Sequence, residues 1–470
     1  MKQSLTLRVL LGLAMLVFCW AEPIPHFGAG AAQASESSGE APVELEVSPV
    51  RPKKTQPARA RAPAAKAPAA KAPRTGAAAA RAQPPRRVLP RETAPSGMPP
   101  EAETRFVEDQ VIVRYRLTAR RANMDALVRR LDLQHLQART FVLAGVTVHL
   151  YRITDGSPVR EVIAALQSSP SVVYAQPNYL YTLLQSAGAQ GTGAQYALDK
   201  LAVVRAHALA TGTGIPVAVI DSQIDVTHSE FGKASIDAFD ATGEAAGDAH
   251  PHGTSIAGVI ASRGTLLGIA PDVRLLGVRA FLDDENGGST YSTTWRVATG
   301  LDRAHAVQAR IVNMSFAGPA DPLVGDSVAG IVRRGVIAVA AAGNDGPGAQ
   351  PLYPAAYAGV IAVTAVDRDN LVYARANQGE HVALAAPGVD ILVPAPSNNY
   401  QVSSGTSLAA AHVSGLAALV LSRQPSLTAS EVTAILLGSS ADLGDPGRDA
   451  IFGAGLPDAA IAIEASAGKK

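Results

Sequence analysis

Six short apolar runs, separated by stretches long enough for helices, constrain the fold of this chain most strongly. They are rich in Val, Ile and Ala and read IPVAVI (215–220), VRLLGVRA (273–280), ARIVNMSF (309–316), GVIAVAAAG (335–343), GVIAVTAV (359–366) and HVALAAP (381–387). Strands that are apolar on both faces are typical of a parallel sheet covered by helices on each side. We therefore predict a three-layer α/β domain, whose sites should lie at the carboxyl ends of the strands.

Residues 106–185, before this domain, have a different pattern. QVIVRYRL, VTVHLYRI and SVVYAQPNYLY are typical of strands, whereas NMDALVRRLDL and PVREVIAALQSS have helical spacing. Their order suits a small α+β domain of the β-α-β-β-α-β, ferredoxin-like kind. Such a fold does not by itself indicate an activity.

The first 34 residues are predicted to be a signal peptide. Lys2 and Arg8 precede the apolar stretch VLLGLAMLVFCWA, which ends in Ala21, and AQA at 32–34 is a second candidate cleavage site. The stretch is short for a membrane span, although an uncleaved anchor stays open. We expect an exported protein, periplasmic or extracellular. The single cysteine, Cys19, lies in this segment, so the mature protein would have no disulfide.

Residues 35–105 are predicted to be a disordered linker. Within them, residues 51–100 contain 12 Lys/Arg and one acid, Glu92, whereas the rest of the chain contains 29 basic and 39 acidic residues. Frequent prolines and little apolar mass prevent a packed core. The basic segment is either a spacer or an electrostatic attachment to an anionic surface such as lipid headgroups or cell-wall polymer. Because no aromatic residues are interleaved, we expect no specific nucleic-acid binding.

Three reactive side chains stand at element ends of the predicted sheet domain. Asp221 follows the strand 217–220, His252 opens the small-residue helix HGTSIAGVIAS, and Ser407 opens the apolar helix of SGTSLAAAHVSGLAALVLSRQ. Taken singly, they have simpler explanations as a turn cap, a turn residue and a helix cap. Taken together, they supply the acid, base and nucleophile that activation of a serine hydroxyl requires.

Residues 193–466 resemble the catalytic domain of subtilisin-like serine proteases, the subtilase family. The boxes VAVIDSQID, HGTSIAGVIAS and GTSLAAAHVSG carry the resemblance, with IVNMSF, AAAGNDG and LAAPGVDI in the expected order. The resemblance implies that Ser407 is the nucleophile, His252 the general base and then acid, and Asp221 the group that orients His252. The implied protein is an exported serine endopeptidase; the alternative is a catalytically silent peptide-binding protein on the same scaffold.

The resemblance also implies an oxyanion hole and a substrate groove. The side chain of Asn344 and the backbone N–H of Ser407 would hold the oxyanion. A peptide substrate would pair as a strand with two segments, and a pocket would hold the side chain before the cut. The residues implied are Gly288, Ser289 and Thr290 on one side, Ser315, Phe316 and Ala317 on the other, and Ala341, Ala342 and Gly343 in the pocket.

A second implication concerns residues 106–185. A small domain directly before a subtilisin-like domain is similar to an inhibitory propeptide that assists folding. Its last residues would lie in the active site and then be cut within TLLQSAGAQGTGAQ, a small, polar stretch suited to cleavage. We therefore expect a monomeric zymogen that acts on protein or peptide substrates and is inhibited by its own propeptide.

Four positions depart from the family pattern. Gln223 stands where glycine is usual and would be strained if its φ were positive. Ala317 replaces a glycine at the pocket rim and is expected to narrow the entrance. Ala411 replaces a proline and Ser255 a histidine, the latter with little expected effect.

Metal and cofactor requirements are expected to be slight. The segment ASRGTLLGIAP is shorter than the loop of calcium-binding relatives, so their strongest calcium site should be missing. The acids Asp283, Asp284 and Glu285 form either a weak cation site or a solvated loop. No cofactor is expected to be required, and His412 is expected to be a packed core histidine.

Overall fold

The structure, a computed structural model, describes residues 97–184, 195–232, 234–245, 247–284 and 290–468, and the backbone of residues 186–187. These residues belong to one compact unit of the chain, residues 87–470. The predicted signal peptide and residues 35–96 of the predicted linker lie outside the described residues. In the described part of the chain, no helix is long and apolar enough to cross a membrane.

The described elements alternate along the chain. The strands are β1 (Phe106–Tyr115), β2 (Leu133–Phe141), β3 (Val146–Ile153), β4 (Val172–Leu183), β5 (Ser186–Ala187), β6 (Pro216–Asp221), β7 (Ser235–Asp240), β8 (Arg274–Arg279), β9 (Leu282–Asp283), β10 (Thr290–Thr293), β11 (Ile311–Met314), β12 (Phe316–Ala317), β13 (Ile337–Ala341), β14 (Val360–Val366), β15 (Val382–Pro387), β16 (Ile391–Ala395), β17 (Asn399–Ser404), β18 (Ser440–Ala441) and β19 (Leu456–Pro457). The helices are α1 (Arg121–Arg130), α2 (Val159–Gln167), α3 (Tyr196–Lys200), α4 (Val203–His207), α5 (Pro251–Ala261), α6 (Thr294–Ala306), α7 (Pro322–Arg333), α8 (Thr406–Arg423), α9 (Ala429–Gly438) and α10 (Ala459–Ala467).

The predicted parallel sheet is confirmed, with strand order β15-β14-β13-β11-β6-β8-β7 and parallel pairing throughout. Along β6, Val217 and Val219 pack into one apolar cluster with α5 and α8. Ala218 and Ile220 pack into a second cluster with α6 and α7. Each face of the sheet thus buries its own core, which is why the strands lack polar alternation.

The expected ferredoxin-like unit is also present. Its four strands are antiparallel in the order β2-β3-β1-β4. One face packs with α1 and α2 around Ile163 and Leu166. The other face contributes Phe141 and Leu150 to a cluster with Trp295 of α6, so this unit packs directly on the sheet domain.

Residues 97–105, the end of the predicted linker, contact the ferredoxin-like unit. The guanidinium of Arg160 in α2 donates hydrogen bonds to the carbonyl oxygens of Pro99, Pro100 and Glu103. A cation placed over several carbonyls orders a segment whose own composition gives it little structure.

Candidate active site

Asp221 is delivered to the site by the buried strand β6, of which it is the last residue. Its side chain is fully buried, and its Oδ1 accepts hydrogen bonds from the backbone N–H of Ser222 at 2.7 Å and the Ser222 hydroxyl at 3.1 Å. A buried carboxylate is tolerated only when such partners compensate for lost hydration. The acid is thus fixed at the carboxyl end of the sheet.

His252 lies at the start of α5 and faces this acid. Its Nδ1 is 2.7 Å from Asp221 Oδ1. The ring of His250 caps the helix, since its Nδ1 accepts from the His252 backbone N–H at 3.1 Å. Burial lowers the pKa of His250 and so favours the neutral ring, whose unprotonated nitrogen can accept this bond.

Ser407 completes the constellation at the second position of α8. Its Oγ is 3.2 Å from His252 Nε2, and its side chain is fully buried. Three residues separated by 31 and 155 positions in the chain are therefore within hydrogen-bond reach in one line. In this arrangement the imidazole can take the serine proton while the carboxylate holds the ring in place.

Asn344 faces the same point, and its orientation is set by a residue that the sequence interpretation overlooked. The Oδ1 of Asn344 accepts from the backbone N–H of Thr406 at 3.1 Å and from its hydroxyl at 2.9 Å. These two bonds turn the amide N–H outward toward the site. The sequence could have indicated Thr406 as a site residue, because it directly precedes Ser407.

The carbonyl oxygen of Leu184 lies where a substrate carbonyl would. It accepts from Asn344 Nδ2 at 2.8 Å and from Ser407 Oγ at 2.7 Å. The backbone N–H of Ser407, the other predicted donor, makes no hydrogen bond to this oxygen in the described residues. Oxyanion donors are aimed at the oxygen of the tetrahedral species rather than at the ground-state carbonyl. The role of the Ser407 backbone N–H as an oxyanion donor therefore stays a prediction.

The chain just before Leu184 fills the predicted groove as a strand. The end of β4 pairs antiparallel with β12, where Phe316 lies opposite Leu183 and Ala317 opposite Thr182. On the other side it pairs with residues 291–293 of β10. Pairing on both sides provides hydrogen-bond partners for the backbone N–H and C=O groups of an extended peptide, whatever its side chains are.

On the β10 side, the described residues that pair with β4 lie after the predicted segment 288–290. Gly288 and Ser289 lie outside the described residues, and Thr290 pairs with Asp283 of β9. The residues that pair with β4 are Tyr291, Ser292 and Thr293. Because Leu184 is fixed at Ser407 and strand pairing advances residue by residue, the preceding residues fall opposite 291–293.

The predicted pocket residues are buried close to Leu184. Ala317 and Ala341 share an apolar cluster with Leu184, and Ala342 is fully buried. Gly343 has φ +126°, and a Cβ there would lie 2.6 Å from Asn377 Cγ, so only glycine fits. Ser315 accepts from the Ser407 hydroxyl through its backbone oxygen at 3.1 Å.

The departures from the family pattern are accommodated. Gln223 is not among the described non-glycine residues with positive φ, so the feared strain does not arise; its carbonyl accepts from the His250 N–H. Ala411 is fully buried within the regular helix α8. His412 is buried, its Nδ1 lies 2.8 Å from the Leu408 carbonyl, and burial lowers its pKa to about 4.

A buried carboxylate organises the shortened loop. Glu230 is fully buried and accepts from the backbone N–H groups of Gly264, Thr265 and Leu266 and from the Tyr400 hydroxyl at 2.7 Å. Among the described residues there is no group of three or more His, Cys, Asp or Glu suited to a metal ion. Glu285 of the acidic stretch lies outside the described residues.

Comparison with known proteins agrees with this geometry. The Subtilase family profile matches residues 212–455, and the Fervidolysin N-terminal prodomain profile matches residues 92–178. Subtilisin DY of Bacillus licheniformis is 35% identical over 269 residues, which are 54% of this chain and 92% of that protein. The chain therefore belongs to the subtilase family of serine proteases and carries a fervidolysin-type prodomain.

Other relatives extend beyond the shared region. The minor extracellular protease Epr of Bacillus subtilis (strain 168) is 32% identical over 311 residues, which are 63% of this chain and 47% of Epr. The crystal structure of fervidolysin from Fervidobacterium pennivorans, described as a keratinolytic enzyme related to subtilisin, has a TM-score of 0.68 and 24% identity. It covers 78% of this chain and 62% of that one, a likeness of fold. The chain thus spans about half the length of Epr.

Proposed function

We propose that this protein is a serine endopeptidase made as a self-inhibited zymogen, which first cuts its own chain between Leu184 and Gln185. One observation carries the proposal: the Leu184 carbonyl oxygen lies on Ser407 Oγ and Asn344 Nδ2 while His252 and Asp221 stand behind the serine. A polypeptide carbonyl that accepts a hydrogen bond from the serine of an assembled triad supports peptide-bond hydrolysis, and it supports the bond after Leu184 as the first to be cut.

The reaction follows from the positions of these atoms. The Ser407 oxygen attacks the carbonyl carbon of the residue before the cut, and its proton passes to His252 Nε2. Asp221 holds the ring and stabilises the imidazolium, while Asn344 donates to the developing oxyanion. His252 then returns the proton to the leaving amine. Water, deprotonated by the same ring, hydrolyses the acyl-enzyme and restores the serine.

Inhibition by the prodomain is the finer part of the proposal. Residues 180–183 occupy the groove between β10 and β12, so a protein or peptide substrate cannot pair there until they leave. A second contact holds the prodomain in place, because the Asp302 carboxylate of α6 accepts from the backbone N–H groups of Val142 and Leu143 at 2.9 and 3.0 Å. After the first cut, these contacts would keep the product bound as an inhibitor.

We further propose that the protein is exported and acts as a monomer without a required cofactor. The basic, apolar and small-residue order of residues 1–34 supports export. The network around Glu230 supports folding without a calcium ion in that loop, and weak calcium binding elsewhere is compatible with activity. The basic segment 51–100 supports attachment to an anionic surface, which vesicle binding that weakens with salt would test.

Covalent labelling of Ser407 tests the central proposal. A fluorophosphonate probe should label the processed protein at Ser407 and abolish casein hydrolysis, because capture requires a hydroxyl activated by a base. Ser407→Ala protein should neither be labelled nor hydrolyse casein. If folded wild-type protein were neither processed nor labelled, the catalytically silent binding protein would be the better description.

A further inference from the structure

The side chain of Tyr181 in β4, three residues before Leu184, lies in an enclosed site. If Leu184 is the first residue before the cut, Tyr181 is the fourth, and it pairs with Ser292 of β10. It is fully buried. Its ring packs edge-to-face on Phe316, with centroids 5.7 Å apart. This position therefore has a closed subsite rather than an open groove.

Gly318 shapes the floor of this subsite. A Cβ at Gly318 would lie 2.5 Å from Tyr181 Cδ1 and 2.7 Å from its Cε1. Those distances are too short for any non-glycine residue unless the ring moves. The absence of a side chain at 318 thus leaves a slot that fits a flat aromatic ring.

A buried carboxylate lies at the end of the slot. The Tyr181 hydroxyl donates to Asp321 Oδ2 at 3.0 Å, and Asp321 is 2% exposed. The same oxygen accepts from the Thr294 hydroxyl at 2.6 Å. Burial raises the pKa of Tyr181 well above its usual value, so this hydroxyl remains a donor. An apolar ring would leave Oδ2 with one donor fewer.

The two carboxylate oxygens of Asp321 have separate roles. Oδ1 caps α7 by accepting from the backbone N–H groups of Leu323 and Val324, and it also accepts from Gln176 of the prodomain. Capping thus explains Oδ1 but not the contact of Oδ2 with tyrosine. When the prodomain leaves, Gln176 and Tyr181 leave together, and Thr294 is then the one donor to Oδ2 among the described residues of the protease.

We propose that Asp321 makes this subsite selective for tyrosine, so that the mature protease prefers protein substrates with tyrosine four residues before the cut. The inference rests on the proposed peptidase function. A substrate tyrosine would replace Tyr181 on Oδ2, whereas phenylalanine would desolvate the carboxylate without bonding to it. Sites built to bond a hydroxyl discriminate against analogues that lack it.

Two peptides on the self-processed wild-type protease test the inference. One reproduces residues 178–190, and the other carries the Tyr181→Phe change. We expect kcat/KM to be at least about tenfold higher for the tyrosine peptide. Equal values, or a preference for phenylalanine, would overturn the selectivity while leaving the peptidase function intact. Failure to cleave either peptide or casein would instead overturn the proposed function, and the inference with it.

Asp321→Asn assigns the effect to this residue. Asparagine is also a good helix cap, but an amide nitrogen at the Oδ2 position cannot accept from a tyrosine hydroxyl. The tyrosine-to-phenylalanine ratio should fall to about one, and a ratio is insensitive to a general loss of activity. Asp326→Asn, an exposed acid on the same helix, should keep the wild-type ratio. An unchanged ratio in Asp321→Asn would contradict the assignment; if that variant does not fold, the wild-type peptide pair still decides.

Discussion

Asn344 can stabilise an oxyanion only while its amide N–H faces the substrate oxygen. That orientation depends on the two bonds that its Oδ1 accepts from Thr406. The backbone bond survives any substitution at 406 except proline, whereas the hydroxyl bond is lost unless the new residue carries a hydroxyl. Thr406 is therefore a positioning residue, which acts on the reaction through Asn344.

Thr406→Val should lower kcat by about tenfold with little change in KM, because it removes a bond that aligns an oxyanion donor but leaves the groove intact. Steady-state kinetics on a peptide substrate measure both constants. Thr406→Ser, which keeps the hydroxyl, should restore most of kcat. A rise in KM alone, or no rescue by serine, would show that Thr406 does not act through the amide.

The buried side chain of His412 makes the stability of the folded protein depend on pH. Burial lowers its pKa to about 4, below the ordinary value near 6.5, so the unfolded chain binds this proton more readily than the folded one. This pKa difference contributes about 3 kcal/mol to the free energy of unfolding. The contribution is fully present above pH 6.5 and is lost as the pH falls toward 4.

Denaturant unfolding of Ser407→Ala protein at pH 7, 6, 5 and 4 measures this loss, since the inactive background prevents self-digestion. His412→Met in that background should lack this part of the decline, although carboxylate contributions common to both proteins remain. Parallel pH curves for the two proteins would contradict a neutral buried His412.

At the scale of elements, the loop after α5 is held by one side chain. The Glu230 carboxylate binds the backbone N–H groups of Gly264, Thr265 and Leu266. It reaches them from the 3₁₀ turn Ser229–Phe231, and a carboxylate is better suited than an amide to accept several N–H groups.

Glu230→Gln should lower the free energy of unfolding by about 2–3 kcal/mol, because an amide nitrogen replaces an acceptor that faces buried donors. Thermal unfolding in the Ser407→Ala background is the measurement, with the exposed Glu244→Gln as the control. Chelation with EDTA should leave the wild-type melting temperature unchanged. A stabilising calcium ion in this loop would instead produce a marked drop on chelation.

The sequence predicted those elements whose patterns are local. The six apolar runs appear as β6, β8, β11, β13, β14 and β15, because a strand buried on both faces has few compatible compositions. The edge strand β7 was not predicted, since its sequence SIDAFD is largely exposed. The role of Glu230 was also not predicted, because its backbone partners are 34 to 36 residues away and no periodicity links them to it.

The site divides in the same way. The reactive residue types at element ends predicted Asp221, His252 and Ser407, the family resemblance implied Asn344, and the structure brings these four side chains together. The sequence could not identify Leu184 or Asp321, because the roles of these residues depend on the register of β4 in the groove. That register is a property of two packed units rather than of either sequence pattern.

At the scale of the whole molecule, the prodomain is held at the groove and at α6. The Asp302 carboxylate of α6 accepts hydrogen bonds from two backbone N–H groups of the turn between β2 and β3. Asp302→Ala leaves these donors without their acceptor and should weaken prodomain binding by about tenfold or more.

The measurable consequence is the delay between the first cut and the appearance of casein hydrolysis, which should shorten in Asp302→Ala. Gels report the cut and a casein assay reports activity in the same samples. Asp237→Ala, an exposed acid on the edge strand, should retain the wild-type delay. An unchanged delay in Asp302→Ala would mean that the groove alone retains the prodomain.

The new N-terminus created at the first cut tests most directly whether these residues form a working peptidase on their own chain. N-terminal sequencing and intact mass of freshly processed full-length protein should show a chain that begins at Gln185. Ser407→Ala protein prepared in parallel should remain uncut. A first product that begins elsewhere, or the same cut in Ser407→Ala, would contradict cleavage by this triad at Leu184.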